Sequence, residues 1–397
     1  MKYIILIIDG ASGHPLSQYQ NQTSLQIART PNLDSMAEEG EVGLTRNVPP
    51  DMEPSSAVAC LSLLGYNPQE YYTGRASIEA FSLGVPTSPG SSLFRCNLVN
   101  IQNGIMQSYN GGDIQSAQAS VLIDALNRAL GSKTVQFFPG INYRHILRLD
   151  DEGVSLKAIT TAPHDISDKE IATHLPKGMG SEELIRLMEA STAIFRDHQV
   201  NLERVARGEL PISQVWLFWG APSLDKWPSM QQKYGLKGAL SSAVSLLNGI
   251  GMLMGMDILS IAGVTDTDTN DYARQMSESL LALDKHDLVV VHVEAPDEMG
   301  HIGSFERKVK AIEDIDKDMV SAIKEYAQNH QVRVLILPDH PTPVALKTHT
   351  NEAVPYLMWG ERIKGGLARR FTEAEADKSG IYLENGYNMM KKFTEGI

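Results

Sequence analysis

The sequence predicts an α/β protein: a mainly parallel sheet with helices on both faces, carrying a smaller inserted α+β domain. Three observations carry this. Continuous apolar runs such as Lys2–Ile8, Leu288–Val293 and Val332–Leu337 suit parallel strands buried on both faces. These runs alternate with amphipathic helical segments, the pattern of helices layered on a parallel sheet. Side chains able to bind metal or attack phosphorus fall just after such runs or in a rigid loop: Asp9; Ser56; Asp297 and His301; Asp339, His340 and His349. In an open α/β sheet the carboxyl ends of the strands converge on one crevice, so residues distant in sequence can meet there.

Taken in order, Lys2–Ile8 is the first strand. Its apolar stretch is short, ends in Asp-Gly and lacks a small-residue cleavage site, so it reads as a strand and not as a secretion signal. Thr30-Pro31 opens a helix that runs to Glu39. Pro49–Pro54 is a rigid approach loop, and Ser55 or Ser56 caps the helix Ala57–Leu64, which ends at Gly65-Tyr66-Asn67-Pro68. From about Pro86 the character changes. Phe94–Ile101 reads as a strand, Ile114–Leu130 as a helix, and Val135–Phe138 and His145–Leu149 as two more strands.

The polar stretch Asp165–Gly180 reads as a return linker. Ser181–Arg207 is expected as one long helix and Val215–Trp219 as a strand leading to a crevice loop. Leu240–Met256 is expected as a helix, Ile258–Ala262 as a strand and Asp271–Leu283 as a helix. Leu288–Val293 follows as a strand, then Phe305–Asn329 as a long charged helix and Val332–Leu337 as a strand. Residues 1–85 and 178–397 would form a discontinuous core, with 86–177 inserted as a domain able to close over substrate.

A length of 397 residues exceeds one ordinary domain and fits about two or three. With 42% hydrophobic and 21% charged residues the chain lies outside the disordered range. A formal net charge of −13 argues against a nucleic-acid partner, which needs a basic face. It does not exclude a small anionic substrate, because metal ions and a few arginines make a locally positive site. No run approaches the roughly 18 apolar residues of a membrane span, and a cytoplasmic location is expected. Cys60 and Cys96 are expected as buried free thiols. The acidic surface permits a monomer or a small homo-oligomer.

Each candidate residue also has a bland reading. Asp297 and His301 stand four apart, which puts both on one face of a helix; on most helices such a pair is a solvated face. Asp339-His340 lies in a loop stiffened by Pro341 and Pro343, which suits a preorganised ligand set, although a loop pair can merely cap a turn. His349 returns one loop later and completes a three-ligand site with Asp297 and His301. Asp9 can be the turn residue of an Asp-Gly step, and Ser56 a helix N-cap. Four coincidences at one predicted crevice outweigh these separate readings. Carboxylates and imidazoles together hold divalent cations, and a serine beside them serves as a nucleophile, which points to phosphoryl transfer. Ser55 is the alternative nucleophile.

These residues and their surroundings resemble the archaeal type of cofactor-independent phosphoglycerate mutase, within the alkaline phosphatase superfamily. The matching stretches run almost end to end. They include Ile8-Asp9-Gly10, Leu61–Pro68, Tyr72-Thr73-Gly74-Arg75-Ala76, Phe94–Val99 and Tyr143-Arg144-His145. Later come Lys233–Ala239, Val291–Glu298, Asp339-His340-Pro341-Thr342-Pro343 and Lys347-Thr348-His349-Thr350. The resemblance implies an alkaline-phosphatase-like core and a glycolytic isomerase that interconverts 3- and 2-phosphoglycerate without 2,3-bisphosphoglycerate. It implies two divalent ions, Mn²⁺ first and Zn²⁺, Co²⁺ or Mg²⁺ as alternatives. One would sit on Asp297, His301 and His349, the other on Asp9, Ser56, Asp339 and His340.

The same resemblance implies a phosphoserine at Ser56, Lys237 as a transition-state cation, and Arg95, Arg144 and His145 as substrate-carboxylate clamps, with Arg75 a weaker candidate near the hinge. Around the nucleophile the chain departs from the family pattern: Ser55 replaces glycine, Ala57 an acidic residue and Cys60 asparagine. The approach Val48-Pro49-Pro50-Asp51-Met52 is similar to relatives proposed as homoserine kinases. A kinase on the same scaffold is therefore the alternative activity.

Overall fold

The computed structural model describes residues 1–224 and 227–396. It divides into two compact units, Met1–Tyr72 with Lys226–Ile397, and Thr73–Asp225.

The first unit is built on eight strands in the order Tyr382–Leu383, Glu41–Thr45, Val354–Gly360, Val332–Leu337, Lys2–Ile8, Leu288–Val293, Gly238–Ser241 and Asp257–Ile258. The five from Val332–Leu337 onward are mutually parallel, and Val354–Gly360 runs antiparallel to both its neighbours. The sheet is thus mixed and mostly parallel. Ile4, Leu6 and Ile8 share one core with helices Pro31–Glu39, Tyr272–Ala282 and Phe305–Ile315. Ile5 and Ile7 point to the opposite face by strand alternation and are equally buried. Full burial of each such side chain stabilises by roughly 1.5–3 kcal/mol, which is why the buried run Ile4–Ile8 is apolar throughout.

Register decides where the chemistry sits. Ile7 lies level with His292 on one side and Leu337 on the other. The three central strands therefore end together, and Asp9, Glu294 and Asp339 emerge from one edge.

Two long apolar stretches fold differently from expectation. In the expected helix Leu240–Met256, Gly238–Ser241 forms a parallel strand beside Leu288–Val293, and the helix begins only at Ser245. A short buried apolar run does not distinguish strand from helix by periodicity. The expected helix Phe305–Asn329 is interrupted by a π turn at Asp316–Val320. Asp316 is buried there and accepts the Leu33 N–H at 2.7 Å and the Asn32 N–H at 3.3 Å, satisfying the start of Pro31–Glu39.

The second unit is an antiparallel sheet. Its central strand Ser91–Gln102 pairs with Arg144–Asp150 on one side and Gln214–Pro222 on the other, while Val135–Phe138 and Ile105–Ser108 complete it. Helices Ser116–Leu130, Ser181–Arg196 and Gln199–Ala206 supply its main core. The helix Arg75–Ser82 buries Ala76 and Ala80 against Leu93, Ile146 and Ala221.

The expected boundaries at 86 and 177 fall inside this unit. Val215–Trp219, expected to lead to a crevice loop, is instead part of Gln214–Pro222 in this second sheet, and Ser181–Arg196 packs within the same unit. The polar stretch expected as a return linker contributes the 3₁₀ turn Pro163–Ile166, and Ile159 bridges to Lys177. The single helix expected over Ser181–Arg207 breaks after Arg196. His198 caps a second helix there, its Nδ1 accepting the Val200 N–H at 3.2 Å.

A candidate metal and phosphoryl-transfer site

The first unit brings all seven sequence-selected donors together beyond the carboxyl ends of its central strands. Asp297 and His301 lie on the helix Ala295–His301, which begins directly after Leu288–Val293 with Pro296 in its first turn. Proline is tolerated there because that N–H has no intrahelical acceptor. Asp297 Oδ2 is 3.1 Å from His301 Nε2, and its Oδ1 is 3.4 Å from His349 Nε2. The imidazoles of His301 and His349 meet at 2.9 Å through their Nε2 atoms.

The second group centres on His340, whose Nε2 lies 3.3 Å from Asp339 Oδ2, 3.7 Å from Asp9 Oδ1 and 3.3 Å from Ser56 Oγ. Asp9, Asp297, Asp339 and His340 are each at most 2% exposed.

The structure separates the two serines. Ser55 is the N-cap of Ser56–Leu63, its Oγ accepting the Val58 N–H at 3.4 Å. Ser56 is the first helical residue, and its Oγ faces His340.

Several further residues hold these donors, and sequence reading assigned them no role. His292 is fully buried, with Nδ1 3.0 Å from Ser242 Oγ and Nε2 2.8 Å from Asp9 Oδ2. Glu294 stands beside it at 3.6 Å, its Oε2 lacking a hydrogen-bond partner among the described residues. A signal existed: His292 and Glu294 are the polar residues of the apolar run Val289–Ala295, and a buried polar group requires a partner. Lys308 is completely buried and donates to the carbonyls of Ser12 at 3.1 Å and Thr342 at 2.7 Å, tying two of the donor loops together.

The electrostatics state what is needed here. Burial, then the charges of Asp339, Glu294 and Asp297, hold the Asp9 carboxyl well above the usual carboxylate range. Burial and Asp297 push Glu294 up to about 8. Hydrogen bonding to Asp297 raises His301 to about 9. Asp9 Oδ1 is buried without a hydrogen-bond partner. Carboxylates crowded in a buried site are costly unless cations replace their protons. Two of the triads close enough to share an ion are Asp297, His340 and His349, and Asp9, Asp339 and His340. The donors present fit divalent ions.

Lys237 does not join the site. It precedes Gly238, which pairs with Leu288 at the start of its strand, so it lies at the amino edge, opposite the donors. Its Nζ is 3.9 Å from Asp257 Oδ2, and both side chains are more than half exposed.

The proposed clamps belong to the second unit. Arg95 is buried, its Nε donating to Glu79 Oε2 at 3.0 Å and its guanidinium lying 5.0 Å from the ring centre of Phe218 and 5.3 Å from that of Trp219. Arg75 holds the other oxygen of Glu79 at 2.7 Å. Arg144 is exposed, over the ring of Tyr143. His145 cannot serve as a cationic clamp. It is 2% exposed, its Nδ1 accepts the Gly140 N–H at 3.0 Å, and burial lowers its pKa to about 3. Cys60 and Cys96 are both buried free thiols, as expected.

Fold and site define a class: α/β proteins that gather carboxylates and imidazoles suited to divalent cations around a serine at a helix start. The family model for 2,3-bisphosphoglycerate-independent phosphoglycerate mutase matches residues 37–201. The enzyme of that name from Methanosarcina mazei is 43% identical over 361 residues, covering 90% of each chain. A probable one from Geobacter sulfurreducens is 40% identical over 397 residues, covering 98% of this chain and 99% of its own. The solved cofactor-independent phosphoglycerate mutase of Thermoplasma acidophilum shares the fold, with a TM-score of 0.69 at 24% identity, covering 100% of this chain and 99% of its own. The chain belongs to the 2,3-bisphosphoglycerate-independent phosphoglycerate mutase family. Among the described residues no helix is long and apolar enough to cross a membrane.

Proposed function

We propose that this enzyme interconverts 3- and 2-phosphoglycerate through a phosphoserine at Ser56, without 2,3-bisphosphoglycerate. The observation that carries the reading is Ser56 Oγ facing His340 at 3.3 Å inside the seven-donor site, in a chain whose mutase relatives match over nine-tenths of its length. Two divalent ions are assigned to it, one on Asp297, His301 and His349 and the other on Asp9, Ser56, Asp339 and His340. Mn²⁺ is the first expectation. When bound, such ions lower the pKa of a coordinated hydroxyl and neutralise charge on the phosphoryl oxygens.

The chain's own residues do the rest. Ser56 Oγ attacks phosphorus in line; its bond to phosphorus forms as the bond to the glycerate 3-oxygen breaks, and the Ser56 hydroxyl proton ends on that oxygen. Glycerate is retained and turns, its 2-hydroxyl takes the phosphoryl group, and Ser56 regains its proton. Ser56 is well placed because the first N–H groups of a helix have no intrahelical acceptor and favour negative charge. Arg95 and Arg144 are the proposed partners of the substrate carboxylate, and Arg75 joins them. Glu79 holds Arg75 and Arg95 side by side, at 2.7 and 3.0 Å, and Arg144 stands level with Asn97 on the strand paired with that of Arg95. Arginine matches a carboxylate in bidentate geometry. Closure of the inserted segment, expected over 86–177, is the proposed means of keeping water from the phosphoserine.

The test is turnover of 3-phosphoglycerate by the metal-reconstituted protein, without 2,3-bisphosphoglycerate or nucleotide, beside homoserine with ATP. Formation of 2-phosphoglycerate, lost together with the phosphoserine mass in Ser56→Ala, is expected. Phosphorylation of homoserine with no isomerisation would overturn the mutase reading in favour of the kinase, which the relatives' names do not favour.

A further inference from the structure

We infer that Thr342 is a positioning residue whose single hydroxyl supports both halves of the donor site. Its Oγ1 hydrogen-bonds Asp297 Oδ1 and lies 3.4 Å from His340 Nδ1. A carboxylate only accepts and a hydroxyl carries one proton, so that proton goes to Asp297. The oxygen lone pairs then face His340, which donates through Nδ1–H. This leaves Nε2 of His340 without a proton, among Asp339 Oδ2 at 3.3 Å, Asp9 Oδ1 at 3.7 Å and Ser56 Oγ at 3.3 Å. A lone pair turned toward carboxylate oxygens is repelled by them, and a cation held between them removes that repulsion. One hydroxyl thus orients Asp297 of the first ligand set and fixes the tautomer of His340 in the second.

The surroundings are built to hold that hydroxyl still. Thr342 is fully buried. Its N–H donates to Ser12 O at 3.1 Å, and its carbonyl accepts from Lys308 Nζ at 2.7 Å. Helix Ala295–His301 can approach because residue 300 is glycine; a Cβ there would stand 2.7 Å from Thr342 Cγ2. Valine has the shape of threonine without the hydroxyl, so the role is separable from packing.

This inference rests on the two-ion reading above. The experiment is titration of metal-stripped protein with Mn²⁺ alone, by calorimetry, on wild type, Thr342→Val, Thr342→Ser and Thr342→Ala, with the thermal unfolding of each metal-free form alongside. Groups that orient metal ligands are typically worth about 10–100-fold in metal affinity. Thr342→Val is expected to weaken both ions by about that factor, with metal-free unfolding near wild type, and Thr342→Ser to bind within roughly threefold of wild type. Should valine fail to fold, serine binding far more tightly than alanine isolates the hydroxyl. Wild-type affinity in Thr342→Val, loss confined to one ion, or serine no better than alanine overturns the inference. Fewer than two Mn²⁺ on wild type sinks the two-ion reading itself, and the inference with it.

Discussion

His145 offers the sharpest quantitative check on the electrostatics of the second unit. Its imidazole is buried, with the Gly140 N–H directed at Nδ1 and no partner for Nε2 among the described residues. Burial lowers its pKa to about 3, against about 6.5 in the unfolded chain. The unfolded state therefore binds the proton first, and stability rises with pH. The contribution is intact above the unfolded value and is lost as pH falls from about 6.5 toward 3. At about pH 5 the unfolded imidazole is roughly thirty parts protonated to one, while the folded one is still neutral, which costs about 2 kcal/mol relative to pH 7. His145→Asn keeps an acceptor for Gly140 and removes the titration. Urea unfolding of both proteins at about pH 7 and pH 5, followed by circular dichroism, reads the difference. The wild type is expected to lose about 2 kcal/mol more than the variant between those pH values. Equal losses would refute the neutral buried imidazole and return His145 to the candidate cations.

Ser56→Ala is expected to abolish turnover with the fold intact, whereas Ser55→Ala costs about 1 kcal/mol of stability through the lost cap and keeps turnover; paired kinetics and melting curves check this. Chelation is expected to remove activity and to lower the unfolding free energy by about 3–4 kcal/mol for each ion supplied at 100–1,000 times its Kd, restored by Mn²⁺. Gly300→Ala should destabilise despite alanine's better helix propensity, because the new Cβ would stand 2.8 Å from the Thr342 carbonyl oxygen. A loss of about 1–3 kcal/mol with weakened Mn²⁺ binding is expected from calorimetry. Arg144→Ala is expected to raise KM for 3-phosphoglycerate roughly tenfold, the worth of a charged hydrogen bond, with circular dichroism unchanged.

What the sequence made legible follows from where strong local signals lie. Lys2–Ile8, Leu288–Val293 and Val332–Leu337 were readable because strands buried on both faces are made mostly of apolar residues, and their bounds match the structure. Topology then made seven donors neighbours. The antiparallel additions Glu41–Thr45 and Val354–Gly360 were not readable, since their pairing is decided by partners hundreds of residues away. The same non-local pairing moved Gln214–Pro222 into the second sheet and carried the boundary from 177 to beyond 214.

Lys237 failed for a related reason: a residue type suited to a transition state says nothing about which edge of the sheet presents it. His145 failed because a histidine beside an arginine in sequence points to the opposite face of a strand, here into the core. The supporting residues Lys308 and Thr342 escaped notice because they act through backbone carbonyls and a single hydroxyl. Their meaning exists only once Ser12, Asp297 and His340 have been brought to them. Donors advertise themselves by chemistry, whereas the groups that orient donors are defined by geometry. A site of this kind is therefore read from sequence at its ligands and from structure at its supports.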